Sequence, residues 1–175
     1  KSEHSTSECH RDAKETNMVQ GVETKDGYLI NTNPSTGEKT AKVKCTTEDE
    51  ADAALANAKA ALADWRLQTL QERIACLKQG LGAVHQLSET FAKLIVQEMG
   101  KTIGEAEEEM KGTVEKDEFL AILEDALKPQ TFGKSKIVRH AIGVVVILSP
   151  WNFPVDEILL LALPALASGN TGKWI

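Results

Sequence analysis

The clearest chemistry in this 175-residue sequence lies in Gly143-Val144-Val145-Val146-Ile147-Leu148-Ser149-Pro150-Trp151-Asn152-Phe153-Pro154. A β-branched run followed by a proline-bracketed loop puts that loop at the carboxyl edge of a sheet, where open α/β folds bind ligands. Asn152 offers a side-chain NH₂ there, and Pro150 and Pro154 restrict the loop that carries it. An amide fixed beside a reacting carbonyl can stabilise an oxyanion, typically by ~2.7–4 kcal/mol. The same residues also suit a structural role, with Asn152 capping the next helix and Trp151 in the core.

Other candidate groups are weaker. Cys9, Cys45 and Cys76 are odd in number and irregular in spacing, which speaks against a disulfide framework and for a reducing compartment. His4, Cys9 and His10 lack paired metal-ligand spacing, so no metal site is expected. Glu105, Glu107, Glu108 and Glu109 read as a solvated helix face. The net charge of −6 excludes a general nucleic-acid binder, which needs a basic face. No apolar run reaches the roughly 18 residues of a membrane span. Residues 1–27 contain no apolar core of a signal peptide, and the sequence starts at Lys1 without an initiator Met, so a processed, tagged or incomplete end is expected.

The elements that must position Asn152 follow from patterning. Residues 1–27 are polar and read as a flexible N-terminal arm, with the folded domain at 28–175. Tyr28–Ile30 and Ala41–Cys45 are strands flanking the turn Asn33-Pro34-Ser35-Thr36-Gly37. Thr47 and Glu50 form a capping box, and Ala54, Leu55, Ala58, Ala61, Leu62 and Trp65 recur at helical spacing. A second helix over 68–86 carries the stripe Leu70, Ile74, Leu77, Leu81, Val84, with Cys76 on its apolar face. Ser88 caps a third, with Phe91, Leu94, Ile95 and Met99 inward and Gly100 as its stop. A long fourth helix spans 103–127 and ends before Pro129. Residues 136–140 read as a strand, and 142–148 as a strand buried on both faces. An apolar helix follows over 155–167, kinked at Pro164 and ended by Ser168-Gly169-Asn170.

In the same order along residues 28–171, several segments resemble the NAD(P)-dependent aldehyde dehydrogenases. Asn33–Glu38 is similar to the family's NP-x-TGE turn, and Ala58–Trp65 to its alanine-rich helix ending in Trp. Glu72-Arg73 with Leu77 is similar to its ER-x-x-x-L, and Glu98–Lys101 to its E-x-GK. Gly143–Pro154 resembles GVV…PWNFP, and Pro164–Thr171 resembles PALAAGNT. The resemblance implies an α/β fold: an N-terminal helical layer plus the first strand-loop-helix unit of a Rossmann-like cofactor domain, truncated. It implies oxidation of an aldehyde to an acid, with Asn152 as the oxyanion-hole amide. Leu148, Ser149, Pro150, Trp151 and Asn152 would line the NAD or NADP cleft.

The family's nucleophilic Cys and general-base Glu come downstream of PALAAGNT, so this chain is expected to be inactive alone. None of Cys9, Cys45 and Cys76 matches the nucleophile. The pyrophosphate-binding turn and the oligomerisation strand are also expected to be missing. Ile175 stands where the family's ribose-contacting Lys falls, and Lys173 is two places early. Gly172-Lys173-Trp174 can be encoded by GGT AAG TGG, which contains a splice-donor-like GTAAGT, so intron read-through is expected there. Ala141 replaces the family's usual Pro. The alternative function is a non-catalytic accessory subunit of a larger assembly. Protein partners would then cover an unpaired sheet edge and the apolar helix at 155–166.

Overall fold

The computed structural model describes residues 17–19, 22–114 and 117–174, with side chains described outside 1–23, 113–117 and 174–175. His4, Cys9, His10 and Ile175 lie outside the described residues. The chain divides into two compact units, 1–46 and 47–175.

The first unit is an antiparallel sheet of β1 (Asn17–Val19), β2 (Val22–Lys25), β3 (Tyr28–Thr32) and β4 (Lys39–Lys44), in that order. It begins inside the segment read as an arm, because β2 is paired to β3 through Thr24↔Leu29 and Lys25↔Tyr28. The expected Asn33–Gly37 turn joins β3 to β4. The Asn33 Oδ1 accepts from Ser35 N at 2.8 Å and Thr36 N at 3.3 Å, and Gly37 takes φ 75°, the left-handed region open to glycine.

The second unit holds the helices. These are α1 (Glu48–Trp65), α2 (Leu70–Gln86), α3 (Ser88–Met99), α4 (Ile103–Val114) and α5 (Asp117–Leu127). Both α4 and α5 lie within the single helix expected over 103–127, and residues 115 and 116 between them lie outside the described residues. Ile74, Leu77 and Leu81 of α2 are buried with Leu120 of α5 and Leu163 further on, as the stripe requires. Fully burying each such side chain contributes about 1.5–3 kcal/mol. A second cluster joins Ala92 and Ile95 of α3 to Ala106 and Met110 of α4.

Three details differ from the patterning. Leu94 is exposed; Ala92, on the other side of α3, takes the inward place. Ser88 is the first residue of α3 and Leu87 its N-cap, without a side-chain cap bond. Cys76 is exposed rather than buried with Ile74 and Leu77.

Beyond α5, β5 (Gln130–Phe132) and β6 (Ser135–Ile137) form an exposed hairpin, replacing the strand expected at 136–140. Next comes β7 (Val144–Ile147), then α6 (Asp156–Ala167) and β8 (Thr171–Trp174), which pairs parallel with β7 from Val144↔Thr171 to Ile147↔Trp174. This is a strand-helix-strand unit. β7 thus has β8 as its one neighbour among the described residues. Burial on both faces is not realised: Ile147 is 5% exposed but Val146 is 56% exposed. Among the described residues no helix is long and apolar enough to cross a membrane, and no group of three or more potential ligands could hold a metal.

Candidate functional site

The stretch between β7 and α6 carries all five expected cleft residues in succession. Leu148, Pro150, Trp151 and Asn152 are exposed and Ser149 is half-buried. Trp151, at 76% exposure, is not a core residue. Asn152 does not cap α6 either, since the N-cap is Val155 and makes no side-chain cap bond. Both structural alternatives for these residues are therefore absent. The amide of Asn152 stands free at the carboxyl end of a parallel strand, a position from which it can donate to a ligand oxygen.

The loop is held from outside. Glu109 of α4 is 6% exposed, against the expected solvated face. Its Oε1 accepts from the backbone N–H of Val155 at 3.2 Å and of Asp156 at 3.4 Å. A carboxylate there accepts from first-turn N–H groups that have no acceptor within the helix and lies at the positive end of the α6 dipole. Its Oε2 accepts from Lys101 Nζ at 2.7 Å, and the same ammonium lies 3.7 Å from the centroid of the Phe153 ring. The sequence did contain a signal: Ala106 and Met110 are apolar at i, i+4 spacing, and Glu109 lies three residues after Ala106 on the same helix face. Glu105, Glu107 and Glu108 are exposed as expected.

The other end of α6 is held by motif residues. Trp65 Nε1 donates to Leu166 O at 3.0 Å, and Arg73 Nε to Ala167 O at 2.9 Å. Arg73 Nη1 also donates to Gln68 O. Partial burial lowers the pKa of Arg73 from its usual value, yet the guanidinium stays charged in proteins. Its cation meets the last carbonyls of α6, the negative end of the dipole. Buried Asn170 ties helix to strand: its Oδ1 accepts from Ile142 N at 2.7 Å and Gly143 N at 2.9 Å. Its Nδ2 donates to Ala165 O at 3.1 Å and Ser168 Oγ at 2.8 Å. Thr171 Oγ1 donates to Ala58 O of α1 at 2.7 Å.

Beneath α6 an apolar groove of about 870 Å³ is lined by Trp65, Leu77, Phe91, Pro154 and Leu159 among others. Cys76 is among its lining residues, and Cys45 follows β4, its N–H donating to Gly27 O at 2.8 Å. Neither described cysteine belongs to the Asn152 loop.

Residues 22–173 match the model of the aldehyde dehydrogenase family. The chain is 34% identical to the NADP(+) succinate-semialdehyde dehydrogenase of Escherichia coli, across 80% of this chain and 30% of that protein. It is 31% identical to the NADP(+) D-glyceraldehyde dehydrogenase of Picrophilus torridus, across 79% of this chain and 29% of that one. The fold superposes on an aldehyde dehydrogenase from Bartonella henselae with TM-score 0.77 at 27% identity, covering 84% of this chain and 32% of the other. An NAD-dependent benzaldehyde dehydrogenase from Corynebacterium glutamicum gives TM-score 0.75 at 25% identity, covering 95% and 38%. The chain thus spans about 30% of the length of these curated relatives.

Proposed function

Because the chain belongs to the aldehyde dehydrogenase family, we propose that it supplies the oxyanion-donor loop of an NAD(P)-dependent aldehyde oxidation. The observation that carries this is the exposed Asn152 amide, unused by its own fold, on a loop fixed at the carboxyl end of β7. Asn152 donates to the aldehyde oxygen and gains strength as that oxygen becomes an alkoxide. Exposed Leu148 and Trp151 suit the flat, partly apolar nicotinamide end of a cofactor, with Ser149, Pro150 and Asn152 completing that wall. The cofactor, when bound, supplies the hydride acceptor. On this reading the thiolate and the general base come from family segments beyond the matched residues, and the 175-residue chain alone turns over no aldehyde.

A chimera tests this. Residues 22–173 replace the matching segment of the E. coli relative, and aldehyde-dependent NADPH formation is followed. The expected result is measurable turnover that Asn152→Ala lowers about 100–1000-fold. Turnover indifferent to Asn152→Ala would remove the proposed role. The unmodified chain is expected to form no NAD(P)H from aldehyde.

A second reading, a non-catalytic subunit, is favoured by Ile142 at 97% and Leu148 at 72% exposure, which a covering partner would bury. Co-purification with one assembly at fixed stoichiometry supports it; a chain that only aggregates with itself does not.

A further inference from the structure

We propose that Lys101 and Glu109 act together as the positioning device of the Asn152 loop; this rests on the reading of that loop as the oxyanion donor. Asn152 makes no hydrogen bond of its own among the described residues. Its placement is therefore inherited from its neighbours in the chain. On the strand side, β7 is fixed by the β8 ladder. On the helix side, α6 has no side-chain cap of its own, and the Val155 and Asp156 N–H groups are held by Glu109, 46 and 47 residues earlier in sequence. Phe153, adjacent to Asn152, lies against the Lys101 ammonium. One ion pair thus grips the chain at Phe153, Val155 and Asp156, within four residues of the donor. Neither side chain reaches the reacting atoms; both act through backbone and ring contacts. An acceptor borrowed from α4 also couples the loop to the α3–α4 core, where Met110, next to Glu109, is packed.

Residue-resolved amide hydrogen exchange on the 175-residue chain tests this with Glu109→Ala and Glu109→Gln. In Glu109→Ala the Val155 and Asp156 amides are expected to exchange about tenfold faster or more. The Asn152 side-chain NH₂ resonances are expected to shift, while the Leu77 and Ile95 amides keep their protection. Glu109→Gln keeps an acceptor without the charge, and is expected to recover part of the protection. Unchanged exchange at Val155 and Asp156 would overturn the proposal, as would a rise that merely tracks Leu77 and Ile95. If Glu109→Ala does not fold, Glu109→Gln decides alone: a selective rise of a few-fold supports the clamp, and no selective rise overturns it. The measurement uses neither aldehyde nor cofactor. A selective effect with an Asn152-indifferent chimera therefore rejects the functional reading alone, and the reverse pattern rejects the clamp alone.

Discussion

Asn170 receives two backbone N–H groups on one side of its amide and gives two hydrogens on the other. Those bonds join the start of β7 to the end of α6, elements that the chain itself connects only through the long loop. Asn170→Ala leaves the Ile142 and Gly143 donors and the Ala165 carbonyl without that partner. It is expected to cost about 1–3 kcal/mol, read as a lower urea midpoint with an unchanged slope. A midpoint within error of the parent would mean that water replaces the amide fully. Lys101 presents a sharper case. The Glu109 side chain is fully shielded from solvent, so Lys101→Met strands a buried carboxylate, at an expected cost of about 3–5 kcal/mol. Adding Glu109→Gln should recover part of that loss, because the two sites are coupled. Strict additivity in the double variant would show that the pair does not interact.

At the scale of elements, three helices start with the same device. Thr47 and Glu50, Thr69 and Glu72, and Thr102 and Glu105 exchange side-chain and backbone bonds at the N-termini of α1, α2 and α4. The bonds that Glu72 and Glu105 receive from the Thr69 and Thr102 backbone and hydroxyl groups hold both carboxyls below their usual value of 4.5. A folded-state pKa below the unfolded one means that the unfolded chain binds more protons as acid is added. The caps therefore contribute fully above about pH 4.5 and fade as pH falls through the lower folded value. Corrected for the intrinsic slowing of amide exchange in acid, the protection factors of the first-turn amides of α2 and α4 are expected to fall on acidification before that of the Leu77 amide; simultaneous loss would contradict this. The Thr-x-x-Glu spacing was readable at all three places, although only Thr47–Glu50 stands out by pattern beside its acidic run. The α2 stripe was readable because Ile74, Leu77 and Leu81 bury one continuous face. β8 was not: Thr171-Gly172-Lys173 has no strand pattern, and its conformation comes from the ladder to β7 rather than from its own side chains. Gly172 suits that ladder, since a Cβ there would stand 3.0 Å from Val145 O. Glu109 was hidden among exposed glutamates of the same type, and only its helical phase sets it apart.

For the molecule as a whole, the strand-helix-strand unit has one face packed and one open. Parallel strands are ordinarily covered on both faces. Here Ile142, Val146, Leu148 and Trp151 are 97%, 56%, 72% and 76% exposed, all on β7 or its flanks. The motifs around Asn152 were legible because they are short, contiguous and ordered. What covers this face was not, because the chain spans only about 30% of the length of its relatives, and pattern alone assigns the run to burial. An apolar surface of this kind favours association in water. The chain alone is expected to sediment as concentration-dependent oligomers. Ile142→Lys and Leu148→Lys together should shift the distribution toward monomer. Both side chains point into solvent, so each substitution should change folding stability by no more than about 0.5 kcal/mol. Ile147→Lys, at a side chain 5% exposed, should unfold the β7–β8 unit, which separates surface stickiness from loss of packing. Oligomers that persist unchanged in Ile142→Lys/Leu148→Lys would place the association elsewhere, and the β5–β6 hairpin, with Phe132 at 60% and Ile137 at 47% exposure, would then be the next face to substitute.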